Sequence, residues 1–250
     1  MSEAIAGRMF ERYVRRQAAR AFAGVHWRVA GPAERRQPDV PTLFVANHSN
    51  WWDGGLAFLV SRALGVRFRI LMDASQLARY RFFARIGARP IRRDAPRAAW
   101  ADLHAAASEL RADTGLWIFP QGERRPPGER PLRCERGAAE LVRAAPGTLR
   151  VWPVAFRYAF VGEQRPEAFA LVGEEWTPGP ADRAASRRAL IERIAARLED
   201  TVFALDELVA HERLDAFRPL TPGRLSVNKR LDRFRHSVGL LRGPFEARNG

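Results

Sequence analysis

The sequence holds one cysteine, Cys134, and one lysine, Lys229, in 250 residues. A lone thiol excludes an intramolecular disulfide and fits a reducing, cytoplasmic setting. Apolar runs are short, and Leu56 to Val60 is typical of the longest. A membrane-crossing helix needs ~18–20 such residues, so no transmembrane span is expected. The opening stretch MSEAIAGRMFERYVRRQAAR has no apolar core followed by a small-residue cleavage site, so it does not read as a secretory signal. There is no GxSxG elbow, which argues against a serine ester hydrolase of the α/β type. No Cys/His or carboxylate cluster has metal-ligand spacing, so no metal is expected. There is no zinc finger, RNP pattern or basic region followed by heptads, and the basic residues are spread along the whole length. Nucleic acid is therefore not the expected partner. Repeats and low-complexity tracts are absent too.

Positive charge is what the chain has in excess. Lysine and arginine number 42 against 28 acidic residues, a formal net charge of +14. All but one of these cations are arginine, whose planar fork suits phosphate and carboxylate. An anionic membrane surface, a phosphate-bearing substrate, nucleic acid and a plain compositional bias toward Arg and Ala all account for such a balance.

Hydrophobic patterning alternates strands with helices. Residues 3–23 place Ile5, Met9, Tyr13 and Phe22 beside Arg8, Arg12, Arg15, Arg16 and Arg20. This is an amphipathic helix that either lies on an anionic membrane or packs on the core with a solvated basic face. Strands are expected at 25–29, 42–46, 67–73, 115–120, 149–160 and 167–176. Helices are expected after NHSN, at 75–85, 96–112, 135–145 and 182–211, with Ser49 or Asn50 as the cap of the first. Residues 31–39 read as a polar loop, and 226–241 carry only weak helical patterns. The expected fold is α/β: a single domain with a central mixed sheet flanked by helices, plus the N-terminal amphipathic helix. Its boundaries fall at 1–30 for that helix and a lead-in strand, 31–212 for the main domain, and 213–250 for a basic C-terminal extension.

In such sheets, sites lie beyond the C-terminal ends of strands. Two strand ends here carry unusual residues: NHSNWWD (47–53) after TLFVA, and QGERR (121–125) after LWIFP. His48 and Asp53 are five apart, which on one helix would swing their side chains about 140° from each other. They can meet only if His48 precedes the helix and Asp53 lies in its first turn. Asp53 could then hold one imidazole nitrogen and leave the other as a base. The same stretch also reads as a capped helix start with a hydrogen-bonded histidine. Trp51 and Trp52 either wall a lipid-chain channel, sit at a lipid interface, or pack the helix on the sheet. Cys134 has no paired base and reads as inert.

Several stretches, in order, resemble the glycerolipid acyltransferases, the family that includes 1-acylglycerol-3-phosphate acyltransferases. Asn47, His48 and Asp53 fit its Asn-His, four residues, Asp block. GARPIRR (87–93) resembles the second block, with Arg93 on its arginine and Pro90 in place of phenylalanine. FPQGERR (119–125) resembles Phe-Pro-Glu-Gly-Thr-Arg, with Arg124 on the arginine, Gln121 for the glutamate and Glu123 for the threonine. RCERGAAEL resembles the Phe-Lys-x-Gly stretch, with Arg136 standing for the lysine, and VWPVAF resembles the Val-Pro-Val block. The likeness runs over residues 40 to 160.

That resemblance implies acyl transfer from acyl-CoA or acyl-carrier protein to a lipid hydroxyl, with no other cofactor. His48 would be the base and Asp53 its orienter. Arg93, Gln121, Gly122, Glu123, Arg124 and Arg136 would bind the acceptor or donor anions. The loss of the third-block carboxylate at Gln121 leans toward an acceptor other than lysophosphatidate, a lipid alcohol or a glycolipid hydroxyl among the options. Peripheral attachment at the cytoplasmic face of a membrane follows as an expectation.

Overall fold

TLFVA has no polar face because it is covered on both sides. In the computed structural model, which describes residues 2–31 and 40–223, these five residues form a fully buried central strand. Leu43 and Val45 face one core while Phe44 and Ala46 face another, as the two-residue period of a strand dictates. The described elements run α1 (Glu3–Ala21), β1 (Gly24–Val29), β2 (Thr42–Ala46), α2 (Asp53–Leu64), β3 (Arg67–Asp73), α3 (Ala74–Arg79), α4 (Phe82–Arg85), β4 (Ala88–Ile91), α5 (Pro96–Ser108), β5 (Thr114–Ile118), α6 (Arg136–Ala144), β6 (Arg150–Ala159), β7 (Glu167–Val172), α7 (Pro180–Ala184), α8 (Arg187–Ala210) and β8 (Arg218–Pro222).

All eight strands join one mixed sheet in the order β4-β3-β5-β2-β6-β7-β1-β8. From β4 to β6 the neighbours are parallel. β6 and β7 are antiparallel, and β1 lies between parallel β7 and antiparallel β8. Helices α5, α6 and α8 cover one face. Helices α1 and α2 cover the other, around a stack of Phe44 on Trp117 at 4.4 Å. The indole N–H of Trp117 donates to Ser61 Oγ at 2.7 Å, which satisfies the polar edge of that buried ring. α1 is seated by Ala6, Val14 and Ala18 and tied to β3 by the pair of buried Arg69 with Glu3, 3.2 Å for the longer of its two contacts.

The expected α/β architecture with a mixed sheet is what forms, and particular elements differ. The lead-in strand is β1, an interior strand of the sheet. Residues 218–222 of the C-terminal stretch form the edge strand β8. The boundaries placed at 30 and 212 therefore separate nothing within the sheet. The helix expected at 75–85 breaks at Tyr80 into α3 and α4. The helix expected at 182–211 breaks before Ser186, whose hydroxyl accepts from Ala189 N and starts α8. β4, in the middle of GARPIRR, had no periodicity to announce it, being four residues long. Residues 32–39 and the weak helical pattern at 226–241 lie outside the described residues.

β4 enters the sheet through Gly87, which has φ +114° and whose backbone approaches β3 so closely that a Cβ there would lie 2.2 Å from the Phe68 carbonyl oxygen. Gly87→Ala combines a forbidden backbone angle with that clash. It is expected to lower the unfolding free energy by roughly 1–3 kcal/mol, read as a drop in the midpoint of a urea unfolding curve.

Candidate active site

The parallel run β4-β3-β5-β2-β6 aims its C-terminal ends to one side, and the residues that follow those ends converge there. Asn47 ends β2 by imitating one more sheet pair: its amide oxygen accepts from Phe156 N at 2.7 Å and its amide nitrogen donates to Phe156 O at 3.1 Å. The next residue, His48, is thereby turned out of the sheet. The loop after β5 then grips its backbone on both sides. Gln121 Oε1 accepts from His48 N at 2.7 Å, and Arg125 N donates to His48 O at 2.8 Å. Phe119 stacks on the imidazole at 4.4 Å and 20°.

Asp53 is the first residue of α2 and is completely buried. Its Oδ2 accepts from His48 Nδ1 at 2.7 Å and from the backbone N–H groups of Ser49 and Asn50, both at 2.8 Å. Its Oδ1 accepts from the Tyr158 hydroxyl at 2.6 Å. Backbone N–H groups can only donate, so this oxygen acts as an acceptor toward the ring and fixes the proton on Nδ1. In the neutral imidazole that tautomer leaves Nε2 as the hydrogen-bond acceptor for whatever occupies the space beside it. Burial, and then the Asp53 charge and hydrogen bond, hold the Tyr158 hydroxyl well above the ordinary phenol range, so it keeps the proton it donates. Neither Ser49 nor Asn50 caps α2; Trp52 occupies that position without a side-chain cap bond, and Asn50 Oδ1 accepts instead from Trp52 N at 3.2 Å.

His48 opens on a cavity of about 740 Å³ between α1, α2, α3, β3, β4 and the loop after β5. Its inner walls are apolar, with Phe10, Val14, Phe68, Phe83, Ile86 and Phe119 among them. Trp51 and Trp52 both line it. Trp51 is 66% exposed at the rim, while Trp52 packs edge-on against Phe22 at 5.0 Å. At the polar end stand Arg93, Gly122, Arg124, Asp73 and Glu135. Gly122 has φ +76°, and a Cβ there would strike the Glu135 carboxylate at 2.4 Å. Arg93 donates to the Gly122 carbonyl and reaches Glu135 at 3.4 Å.

Three residues expected at the site stand elsewhere. The Gln121 side chain holds the His48 backbone and does not line the cavity. Glu123 pairs with Arg125 at 2.6 Å, outside the lining. Arg136 is exposed at the start of α6, also outside it. Conversely, Tyr158, Phe119, Asp73 and Glu135 were not anticipated. Glu135 had one local signal, an acid immediately before a helix start. Tyr158 had none, since β6 brings it to Asp53 from 105 residues away. Cys134 packs against the core, where burial and then Glu199 push its thiol up to about 12, so it is a poor nucleophile at neutral pH. No group of three or more potential metal ligands occurs among the described residues.

The sequence model of the Acyltransferase family matches residues 27–157, more than half the chain and the span that carries His48, Asp53, Arg93, Gly122, Arg124 and Glu135. The crystal structure of the 1-acyl-sn-glycerophosphate (LPA) acyltransferase PlsC from Thermotoga maritima is similar in fold, with a TM-score of 0.58 at 16% identity over 80% of this chain and 79% of that one. Curated protein sequences offer no significant match.

The clamp on His48 makes a prediction about Gln121. Gln121→Leu strands a partly buried backbone N–H and is expected to cost about 1 kcal/mol in chemical denaturation. Gln121→Glu keeps an acceptor at the same place and is expected to stay closer to the parent protein.

Proposed function

This chain belongs to the acyltransferase family, and from that premise we propose that it moves a fatty acyl group from an acyl thioester, acyl-CoA or acyl-carrier protein, to a hydroxyl of a lysophospholipid or related lipid. One observation carries the reading: a histidine whose Nδ1 is held 2.7 Å from a buried carboxylate opens its other face on an apolar cavity with arginines at its polar end. The acceptor hydroxyl attacks the thioester carbonyl carbon while Nε2 of His48 takes its proton. The resulting imidazolium is stabilised by Asp53, which Tyr158 and two backbone N–H groups hold in place. Collapse of the tetrahedral intermediate breaks the C–S bond, and the proton on His48 passes to the departing thiolate. The acceptor's own oxygen is the nucleophile, in keeping with the inert Cys134 and the lack of a GxSxG elbow.

The apolar cavity walls suit an acyl chain. Tyr13, Trp51 and Tyr80 line the cavity and are exposed, and α1 exposes Ile5 and Met9, two turns and one turn before Tyr13, together with Arg8, Arg12 and Arg16. Aromatics and arginines on one amphipathic surface favour an anionic bilayer interface. No described helix is long and apolar enough to cross a membrane, and the reading is peripheral attachment at the cytoplasmic face, with the cavity mouth toward the lipid.

Two experiments test this. With an acyl thioester and a panel of lysolipids, His48→Ala and Asp53→Asn are each expected to lower kcat by roughly 10²–10⁴, with circular dichroism unchanged for His48→Ala; wild-type rates in both would sink the mechanism. For attachment, removal of α1 is uninformative because Val14 and Ala18 are core residues. Ile5→Glu combined with Met9→Glu instead is expected to reduce co-sedimentation with anionic vesicles, and undiminished binding would count against the docking face.

A further inference from the structure

The polar end of the cavity is not a cationic pocket. Its charged lining residues, apart from His48, are Arg93, Arg124, Asp73 and Glu135, two of each sign. Arg93 is already engaged, by the Gly122 carbonyl and by the Glu135 carboxylate at 3.4 Å. Asp73 commits Oδ1 to the start of α3, where it accepts from Ser75 and Gln76, and its Oδ2 is left on the cavity side of that contact with no hydrogen bond among the described residues. Arg124 is the lining guanidinium with no partner among the described residues, and Glu135, although it touches Arg93, is more than half exposed and able to accept more hydrogen bonds.

Resting on the acyl-transfer reading, we infer that Glu135 selects the acceptor: the site takes a lysolipid whose headgroup joins one negative charge to an ammonium or hydroxyl donor, and discriminates against a phosphate monoester. A monoanionic phosphodiester matches the single free fork of Arg124. A donor carried on the same headgroup pairs with the Glu135 carboxylate, which in turn lies against Arg93 and Gly122. A phosphate monoester brings up to two negative charges and no cation, and places them beside Glu135, where like charges in a partly desolvated site repel. Gly122 contributes by lacking a side chain: any Cβ there would displace both Glu135 and Arg93.

The test compares kcat/KM for lysophosphatidylethanolamine and lysophosphatidate, with the same acyl chain and donor, at low ionic strength so that the charge effect is not screened. The wild type is expected to favour lysophosphatidylethanolamine by about tenfold or more. Glu135→Gln is expected to narrow that ratio by about tenfold, mainly through KM, and Glu135→Asp to preserve it. Because Glu135 is exposed and outside the core, both variants are expected to fold. A wild-type preference for lysophosphatidate, or a ratio that Glu135→Gln leaves unmoved, overturns this inference and spares the acyl-transfer reading. No transfer to either acceptor, or full transfer by His48→Ala, overturns both.

Discussion

A fully buried carboxylate with four donors around it organises this protein. Asp53 gathers His48 Nδ1, the N–H groups of Ser49 and Asn50, and the Tyr158 hydroxyl. A buried charge is tolerated only when such partners replace its lost water. The same bonds fold the chain between β2 and α2 into a tight turn, orient the imidazole, and tie the start of α2 to β6. Structure and chemistry at this point are one set of hydrogen bonds, so a change to Asp53 acts on both.

Around that hub the loop after β5 works as a clamp. It takes His48 by its N–H, its carbonyl and its ring face, through Gln121, Arg125 and Phe119. The loop also carries Gly122 and Arg124 and leads on to Glu135, so the residues that hold His48 and those that line the polar end of the cavity are neighbours in the chain. Opposite them, α1 closes the apolar part of the cavity with Phe10 and Val14 while turning Ile5, Met9 and Tyr13 outward. One amphipathic helix is thus packed on the core through one face and exposes apolar residues on the other.

Short patterns with strong local physics were legible in advance. TLFVA read as a buried strand because a short apolar run, Leu43 to Ala46, bounded by Pro41 and Asn47, has nowhere else to go. His48 and Asp53 were placed correctly relative to one another because helical geometry forbids their meeting unless the helix begins between them. Gln121 was misread for an equally physical reason: an amide in a loop gives no sign of whether it faces a ligand or a backbone N–H. Glu123 and Arg136 lie outside the cavity lining, a placement that spacing along an exposed, charged loop does not reveal. β4 was too short for any period, and Ser186 interrupted a helix whose apolar repeat continued on both sides.

The sequence by itself determined the alternation of strands and helices, the strand ends at which chemistry collects, and the order of motifs that marks the family, because these depend on neighbours within a few residues. Only the tertiary structure decided which groups share the site. Tyr158 meets Asp53, Glu135 meets Arg93, and Gln121 meets His48 across separations of 105, 42 and 73 residues. Those pairings follow from the order of strands in the sheet, which is set by burying both faces at once and is written in no local stretch of the chain.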